Sequence, residues 1–173
     1  MTHRTKTSLA AALAALTAVI AAVALTLWPR HAHGAGKVEV SFIQPERFVD
    51  AGRGEVERER TLKSLREHLS SFAARLPDAQ TLRVEVLDVD LAGEQNPTSL
   101  RDTRVLRGRA DGPHIKLRWS LEEGGRALRS ADETLSELHY FFAKPAVERY
   151  GDLPYEKRML DQWFQDKVAL SSR

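Results

Sequence analysis

Two aspartates lie in a stretch that otherwise reads as a β-strand, residues 83–94, RVEVLDVDLAGE. Asp88 and Asp90 lie two residues apart, and because strands disfavour aspartate, the pair raises the question of a chemical role. Carboxylate oxygens bind hard divalent cations, and two carboxylates across a cleft can hydrolyse a glycosidic bond. Asp88, Asp90 and Glu94 are therefore a candidate metal site, with metal-dependent or carboxylate-based hydrolysis as the corresponding function. The alternative is that the aspartates are solvated and balance nearby arginines.

Other signatures of catalysis do not occur in the sequence. As a calcium loop beginning at Asp88, the segment fails at loop positions 5 and 12, which are Ala92 and Ser99. There is no H-E-x-x-H, G-x-S-x-G, phosphate-binding loop or dinucleotide fingerprint. His68 lies on the polar side of a predicted helix and is expected at the surface. We therefore assign no catalytic residue and no cofactor, and a binding protein is favoured over an enzyme.

Basic residues are concentrated between positions 101 and 129, where eight Lys and Arg face four Asp and Glu. Guanidinium groups suit phosphate and carboxylate partners, so this segment predicts a surface for an anionic envelope component or an acidic protein. The alternative is a solvated sheet face whose arginines pair with the aspartate side. The candidate contact residues are Arg104, Arg107, Arg109, Lys116, Arg118 and Arg129.

Residues 1–34 have the layout of a bacterial export signal. A basic start precedes an uncharged apolar run over residues 8–28, and the small residues Ala32 and Gly34 precede Ala35. The alternative is an uncleaved anchor, because a run of this length could span a bilayer. We expect a periplasmic or secreted protein that contacts the membrane only if the segment is retained. With no cysteine, the chain has neither a disulfide nor a lipid-modified cysteine.

The basic character of the whole chain comes from this leader. The sequence contains 26 basic and 24 acidic residues. Arg4, Lys6 and Arg30 precede the expected cleavage site and no acidic residue does, so the remainder carries one more negative than positive charge. A net basic surface, the usual mark of a nucleic-acid-binding protein, is therefore not expected.

The remaining residues, 35–173, are predicted to form a single α+β domain. Apolar residues at spacings of three and four predict amphipathic helices over residues 55–76 and near 152–168. Alternation predicts strands at 38–42 and 82–91, and a hairpin from residue 114 that turns at Gly124 and Gly125. Residues 134–144 favour strand over helix. The expected architecture is a two-layer sandwich: a mostly antiparallel sheet with both helices packed on one face.

The alternation of apolar residues along the strands predicts two details of how the strands pair. The apolar residues change face between Val86 and Leu87, which predicts a β-bulge and places Asp88 and Asp90 together on the outer face. A two-residue turn at the glycines would pair Leu121 with Leu128 and Glu123 with Arg126.

Four stretches resemble the bacterial family known as domain of unknown function 3016. They are VSFIQPERFVD, LRVEVLDVDLAGE, RVLRGRADGPHIKLRWSLEEGGRALRSADE and YEKRMLDQWF. The resemblance covers nearly all of the chain after the leader and implies a small exported protein, with no activity or catalytic residue to carry over. Family members often have a tryptophan where this chain has Gly112, before Pro113, so no role of that aromatic is transferred.

Overall fold

In the computed structural model, the residues from Ala35 onward form a unit with its own hydrophobic core. The predicted leader, Arg109, His139 and most of the segment predicted as a strand at 134–144 lie outside the described residues. The structure describes residues 35–96, 98, 103–108, 111–137, 140 and 149–169.

A four-stranded mixed sheet organises the domain. Its strands are β1 (Lys37–Phe42), β2 (Gln80–Asp90), β5 (His114–Glu123) and β6 (Arg126–Ser136), in the order β1-β2-β5-β6. Only the β1–β2 pair is parallel; the other two pairs are antiparallel, as expected for the α+β class. A separate two-stranded ribbon pairs β3 (Glu94–Gln95) with β4 (Arg104–Val105).

Two helices cover one face of the sheet, which confirms the predicted α+β architecture. They are α1 (Gly54–Ser71), which continues as a 3-10 turn, and α2 (Pro154–Trp163), which continues as a π turn. Both contribute to one core with the sheet, and burial of its large apolar side chains is the main stabilising term of the fold. The largest fully buried side chains include Trp119, Tyr140, Phe72 and Phe164. No helix in the described part of the chain is long and apolar enough to cross a membrane.

The predicted bulge in β2 is present. The β2–β5 register shifts between Val86 and Asp88, so Leu87 is the extra residue and the following side chains are turned over. Val89 then remains buried opposite Ile115. The point in the sequence where the apolar residues change face therefore corresponds to the bulge in the structure.

The β5–β6 hairpin turns at Gly124 and Gly125, both at positive φ, as predicted. Glu123 pairs with Arg126, but Leu121 pairs with Arg129 rather than with Leu128. A second register shift next to the turn places an extra residue in β6. The predicted Leu121–Leu128 pair was therefore wrong, and the Leu128 side chain is 45% exposed.

Candidate functional site

The outer face of the sheet, which the helices do not cover, was predicted to be basic. In the structure this face carries more acidic than basic side chains. Strand pairing brings Arg118 of β5 between carboxylates of both neighbouring strands. It binds Asp132 through two hydrogen bonds, at 2.9 and 3.1 Å, and Glu85 at 3.2 Å. These bonds hold the pKa of Asp132 below, and the pKa of Arg118 above, their usual ranges. The Arg118 guanidinium is thus already matched by acidic groups of its own sheet.

The same compensation extends over the whole outer face. Arg83 bridges Glu39 at 2.6 Å and Glu122 at 3.1 Å. Lys116 pairs in register with Asp88. The basic side chains of this face in the described residues are Lys37, Arg83, Lys116 and Arg118, whereas the acidic ones are Glu39, Glu85, Asp88, Asp90, Glu122 and Asp132. With acids in excess, the face does not attract an anionic partner.

Of the other predicted basic residues, Arg104, Arg107 and Arg129 do not join this face. Arg104 is only 16% exposed and bonds within the protein, and Arg107 pairs with Glu94 at 2.7 Å. Arg129 lies on the helix-covered side, because its partner in β5 is the buried Leu121. There it donates to the Lys167 carbonyl at 3.2 Å and lies over the Trp119 ring.

Asp88, Asp90 and Glu94 do not come together as a metal site. The bulge does place both aspartates on the outer face, opposite Lys116 and His114. However, Oδ1 of Asp88 accepts the backbone N–H groups of residues 49 and 89, and the Glu94 carboxylate faces Arg107. The described part of the chain contains no group of three or more His, Asp or Glu that could hold a metal ion.

Arg104 is a structural clamp rather than a contact residue. Its Nη2 donates to Asp50 at 2.6 Å and to the carbonyls of Leu91 and Gly93, and its Nε donates to the Ala92 carbonyl at 2.7 Å. One guanidinium therefore fixes the turn that follows β2. The geometry suits arginine, whose planar fork offers several donors at once.

A buried carboxyl supports the same turn from the other side. Glu156 of α2 is 2% exposed, and its Oε1 accepts the Ala92 N–H at 2.8 Å. Burial raises the pKa of Glu156, while its backbone hydrogen bonds and Arg104 act in the opposite direction. The turn is thus anchored both to β4 and to α2.

Next to this anchored turn, the structure forms an open cleft of about 330 Å³. Its polar lining comes from the end of β2, the start of β5 and the two loops beside them. The side chains with titratable groups are Asp50, Asp90, Glu94, Asp111 and His114.

Asp90 differs from the other acids of the cleft in its bonding. Asp50 binds Arg104, Gln95 and a backbone amide, and Asp111 accepts Tyr140 Oη and the Arg107 N–H, each at 2.6 Å. The Asp90 carboxylate accepts no hydrogen bond from the described residues; only His114 Nδ1 approaches it, at 3.9 Å. Burial raises the pKa of Asp90, and Asp50 and Asp88 raise it further, against His114 and Arg104.

His114 completes the pair. Its Nδ1 is buried and has no hydrogen-bond partner among the described residues. The Asp90 carboxylate and the His114 imidazole thus line one cleft, and an acid beside an imidazole in a cleft is an arrangement found at binding and catalytic sites. Asp90 was among the residues predicted from the sequence, whereas His114 was not, because its proximity to Asp90 depends on the β2–β5 register.

His68 was predicted at the surface, but it lies between α1 and α2 with its side chain only 13% exposed. Its Nε2 is 3.1 Å from the Lys157 carbonyl and 3.6 Å from Asp161. Asp161 also accepts hydrogen bonds from Arg75 and Tyr150. Burial lowers the pKa of His68, although Asp161 opposes the shift. This cluster joins two helices and faces none of the cleft-lining residues.

The fold and the cleft define a two-layer α+β domain with a partly acidic cleft at one end of its sheet. The chain belongs to the family of proteins of unknown function DUF3016, whose family model matches residues 36–166. This confirms the resemblance seen in the sequence. No curated protein matches the chain.

Two solved structures are only weakly similar. One is described as a "putative lipoprotein" from Caulobacter crescentus CB15, at 16% identity and a TM-score of 0.30, covering 75% of this chain and 91% of its own. The other, from Xanthomonas campestris, is assigned to the DUF330 family, at 13% identity and a TM-score of 0.27, covering 79% and 92%. At these TM-scores, neither similarity supports a functional argument.

Proposed function

We propose that this protein is a non-catalytic binding protein of the bacterial cell envelope that binds a small, donor-rich ligand in the Asp90–His114 cleft. The ligand class follows from the lining. A carboxylate that accepts no hydrogen bond is matched by an ammonium or hydroxyl group, as in an amino sugar or a polyamine. This replaces the predicted anionic partner, because Arg104, Arg107 and Arg118 are paired with acids of the same fold and Arg129 donates to a backbone carbonyl.

One observation supports this proposal above all others. Each of the other carboxylates around the cleft has hydrogen-bond or ion-pair partners within the fold, whereas Asp90 has only a distant imidazole. Leaving an acceptor without donors in a partly buried position is unfavourable, and its retention is explained if a ligand supplies the donors. The anchored turn keeps the cleft in shape, so little ordering cost is expected on binding.

Thermal unfolding with defined probes tests the proposal. Glucosamine and spermidine should raise the melting temperature of the wild type, whereas acetate and phosphate should not. A ligand at 100 times its dissociation constant stabilises by about 2.7 kcal/mol, a rise of several degrees for a domain of this size. Asp90→Asn should abolish the shift. Asp132→Asn is the matched control, since Asp132 is also an outer-face carboxylate but is bonded to Arg118 and does not line the cleft.

The Asp90→Asn variant should also be slightly more stable than the wild type at neutral pH. A carboxyl whose pKa is raised on folding destabilises the native state once it is ionised, and asparagine removes that charge. The side chain is 40% exposed, so we expect a gain of only about 0.5 kcal/mol. A shift with glucosamine or spermidine that persists in this variant would place binding elsewhere, and no shift with either probe would contradict the assigned ligand class.

A carboxylate-based hydrolase is the second candidate, favoured by the raised pKa of Asp90 beside an imidazole in a cleft. In that case Asp90 would act as general acid and protonate the leaving glycosidic oxygen, while the His114 imidazole would accept the proton of the attacking water. Release of reducing ends from cell-wall glycan should then depend on Asp90 and fall as pH rises. Turnover that survives Asp90→Asn would exclude this chemistry.

Export to the envelope is part of the proposal and rests on the layout of residues 1–34. Fractionation by osmotic shock followed by N-terminal sequencing tests it directly. A chain that begins at Ala35 in the released fraction is the expected result, and an intact N-terminus in the membrane fraction would indicate the anchor instead.

A further inference from the structure

Strand β6 is a long sheet edge with unusual sequence features. It comprises 11 residues and pairs with β5 on one side, while no strand of the described chain pairs with its other side. Proteins protect such edges with lysine, proline, bulges or inward-pointing charges, because exposed N–H and C=O groups invite pairing with another chain. Residues 126–136 contain neither lysine nor proline, and the one bulge lies beside the turn, so residues 129–136 pair regularly with β5. This regular part of the edge can add a strand that matches its inward-pointing charges.

The order of basic and acidic residues along β6 determines which strand can pair with its free edge. Arg126 and Arg129 lie in the first half of the strand, and Asp132 and Glu133 lie in the second. An identical strand running antiparallel therefore brings basic residues opposite acidic ones. A parallel copy in register would oppose like charges, which destabilises a sheet.

The position of the twofold axis follows from the same residues. A twofold axis normal to the sheet at Ala131 places Arg129 of each copy opposite Glu133 of the other. Both residues lie on the helix-covered side, since they pair with Leu121 and Leu117 of β5, so the faces agree. Because of the twofold symmetry, the Arg129–Glu133 pair occurs twice in the dimer.

Other centres are less favourable. An axis at Arg129, Asp132 or Glu133 would oppose that residue to itself. An axis at Ser130 would place Arg129 opposite Ala131 and form no ion pair. Only the centre at Ala131 combines opposite charges without a like-charge contact among these residues.

Arg129 and Glu133 already make contacts within the chain, and these leave room for the new pair. Arg129 donates to the Lys167 carbonyl, and Glu133 accepts the Trp119 Nε1 hydrogen bond at 2.9 Å. A guanidinium has five N–H donors and a carboxylate has two acceptor oxygens, so each can add a partner. Both side chains contact Trp119 of β5, Glu133 at its Nε1 and Arg129 over its ring, so the cross-strand pair would be made in addition to these contacts.

A groove of about 440 Å³ between β6 and α2 adjoins the same edge, and polar side chains line it together with Leu135, Met159 and Trp163. Met159 and Trp163 are already buried, so covering this groove would add only a small hydrophobic contribution to association. The charge order of β6 therefore carries the argument for its partner.

We propose that the protein forms a twofold-symmetric dimer by antiparallel pairing of β6 with β6 of a second copy, centred on Ala131, which joins two four-stranded sheets into one of eight strands. The proposal is independent of the ligand cleft, which lies near the end of β2. It commits to a second copy because the charge order of β6 is complementary to itself.

Sedimentation velocity of the chain from Ala35 onward, the compact unit that contains the core, tests this proposal. The wild type should be a dimer. Arg129→Glu and Glu133→Arg should each weaken it, raising the dimer dissociation constant by at least about tenfold, because two attractions become two repulsions. Lys63→Glu on α1, where Lys63 is exposed, is the matched charge-reversal control and should leave the dimer unchanged.

Mixing the two weakened variants gives the decisive measurement. In a heterodimer the Arg129→Glu chain meets the Glu133→Arg chain, and both cross-strand pairs again have opposite charges. The mixture should therefore dimerise although neither variant does so alone, a result that misfolding cannot produce. A monomeric wild type, or a dimer that both charge reversals leave unchanged, would overturn the proposal, as would a mixture that stays monomeric.

Discussion

Replacing Arg104 by alanine should destabilise the domain far more than replacing any arginine of the outer face. The guanidinium bonds four acceptors: the Asp50 carboxylate and the carbonyls of residues 91, 92 and 93. Only 16% of the side chain is exposed, so water replaces these bonds incompletely. The substitution thus leaves several acceptors short of a donor in one small region.

The magnitude follows from these bonds. Breaking a buried ion pair by removing one partner costs about 3–5 kcal/mol. Asp50 keeps its bonds to the Gly52 amide and the Gln95 side chain, and it is 21% exposed, which reduces the loss. We therefore expect Arg104→Ala to lower the free energy of unfolding by about 3 kcal/mol, a large part of the roughly 5–15 kcal/mol of a typical domain.

Urea unfolding followed by tryptophan fluorescence measures this loss, because Trp119 and Trp163 lie in the core. Arg104→Lys should recover only part of it, since one ammonium cannot donate along the same fork. Arg118→Ala is the matched control: that side chain is 55% exposed and should contribute much less. Equal losses in Arg104→Ala and Arg118→Ala would refute the assignment of Arg104 as the clamp.

Three further predictions concern single residues. Glu156→Gln should keep the hydrogen bond from the Ala92 amide. Because folding raises the pKa of Glu156, the wild type should lose stability as pH rises above about 4.5. Urea unfolding at several pH values should show a smaller loss in the variant. His68→Gln should reduce the loss of stability on acidification below about pH 6.5, because burial lowers the His68 pKa and protonation therefore favours the unfolded chain. Gly112→Ala should cost about 2–3 kcal/mol in the same assay, since a Cβ there would lie 2.5 Å from the Glu137 carbonyl oxygen; an unchanged midpoint would contradict that contact.

The sequence allowed much of the fold to be predicted, because burial imposes a period on each element. The phase change at Val86 and Leu87 located a bulge that the strand register confirms. Local signals could not show the second bulge near Leu128, because the glycines at the turn are compatible with more than one register. Periodicity also failed for His68, since α2 covers the side of α1 that the sequence assigned to solvent.

The sign of the outer face was unpredictable for a related reason. Basic residues cluster along one segment of the chain, but a sheet face is assembled from strands that are distant in sequence. β2 contributes Glu85 and β6 contributes Asp132 to the two sides of Arg118. A local charge count therefore describes a stretch of chain, and the charge of a surface depends on which strands become neighbours.

The charged residues of this domain divide into those bonded within the fold and those that are able to bind a ligand. Arg104 and Asp50 lie 54 residues apart in sequence, and their pairing removes both from the set of available ligands. Asp90 and His114 also come together only through strand pairing, yet their approach at 3.9 Å satisfies neither group. Charged residues in a folded domain are therefore better ranked by the hydrogen bonds they still lack than by their number. Among the residues that line the cleft, Asp90 and His114 are by that measure the first to examine for binding.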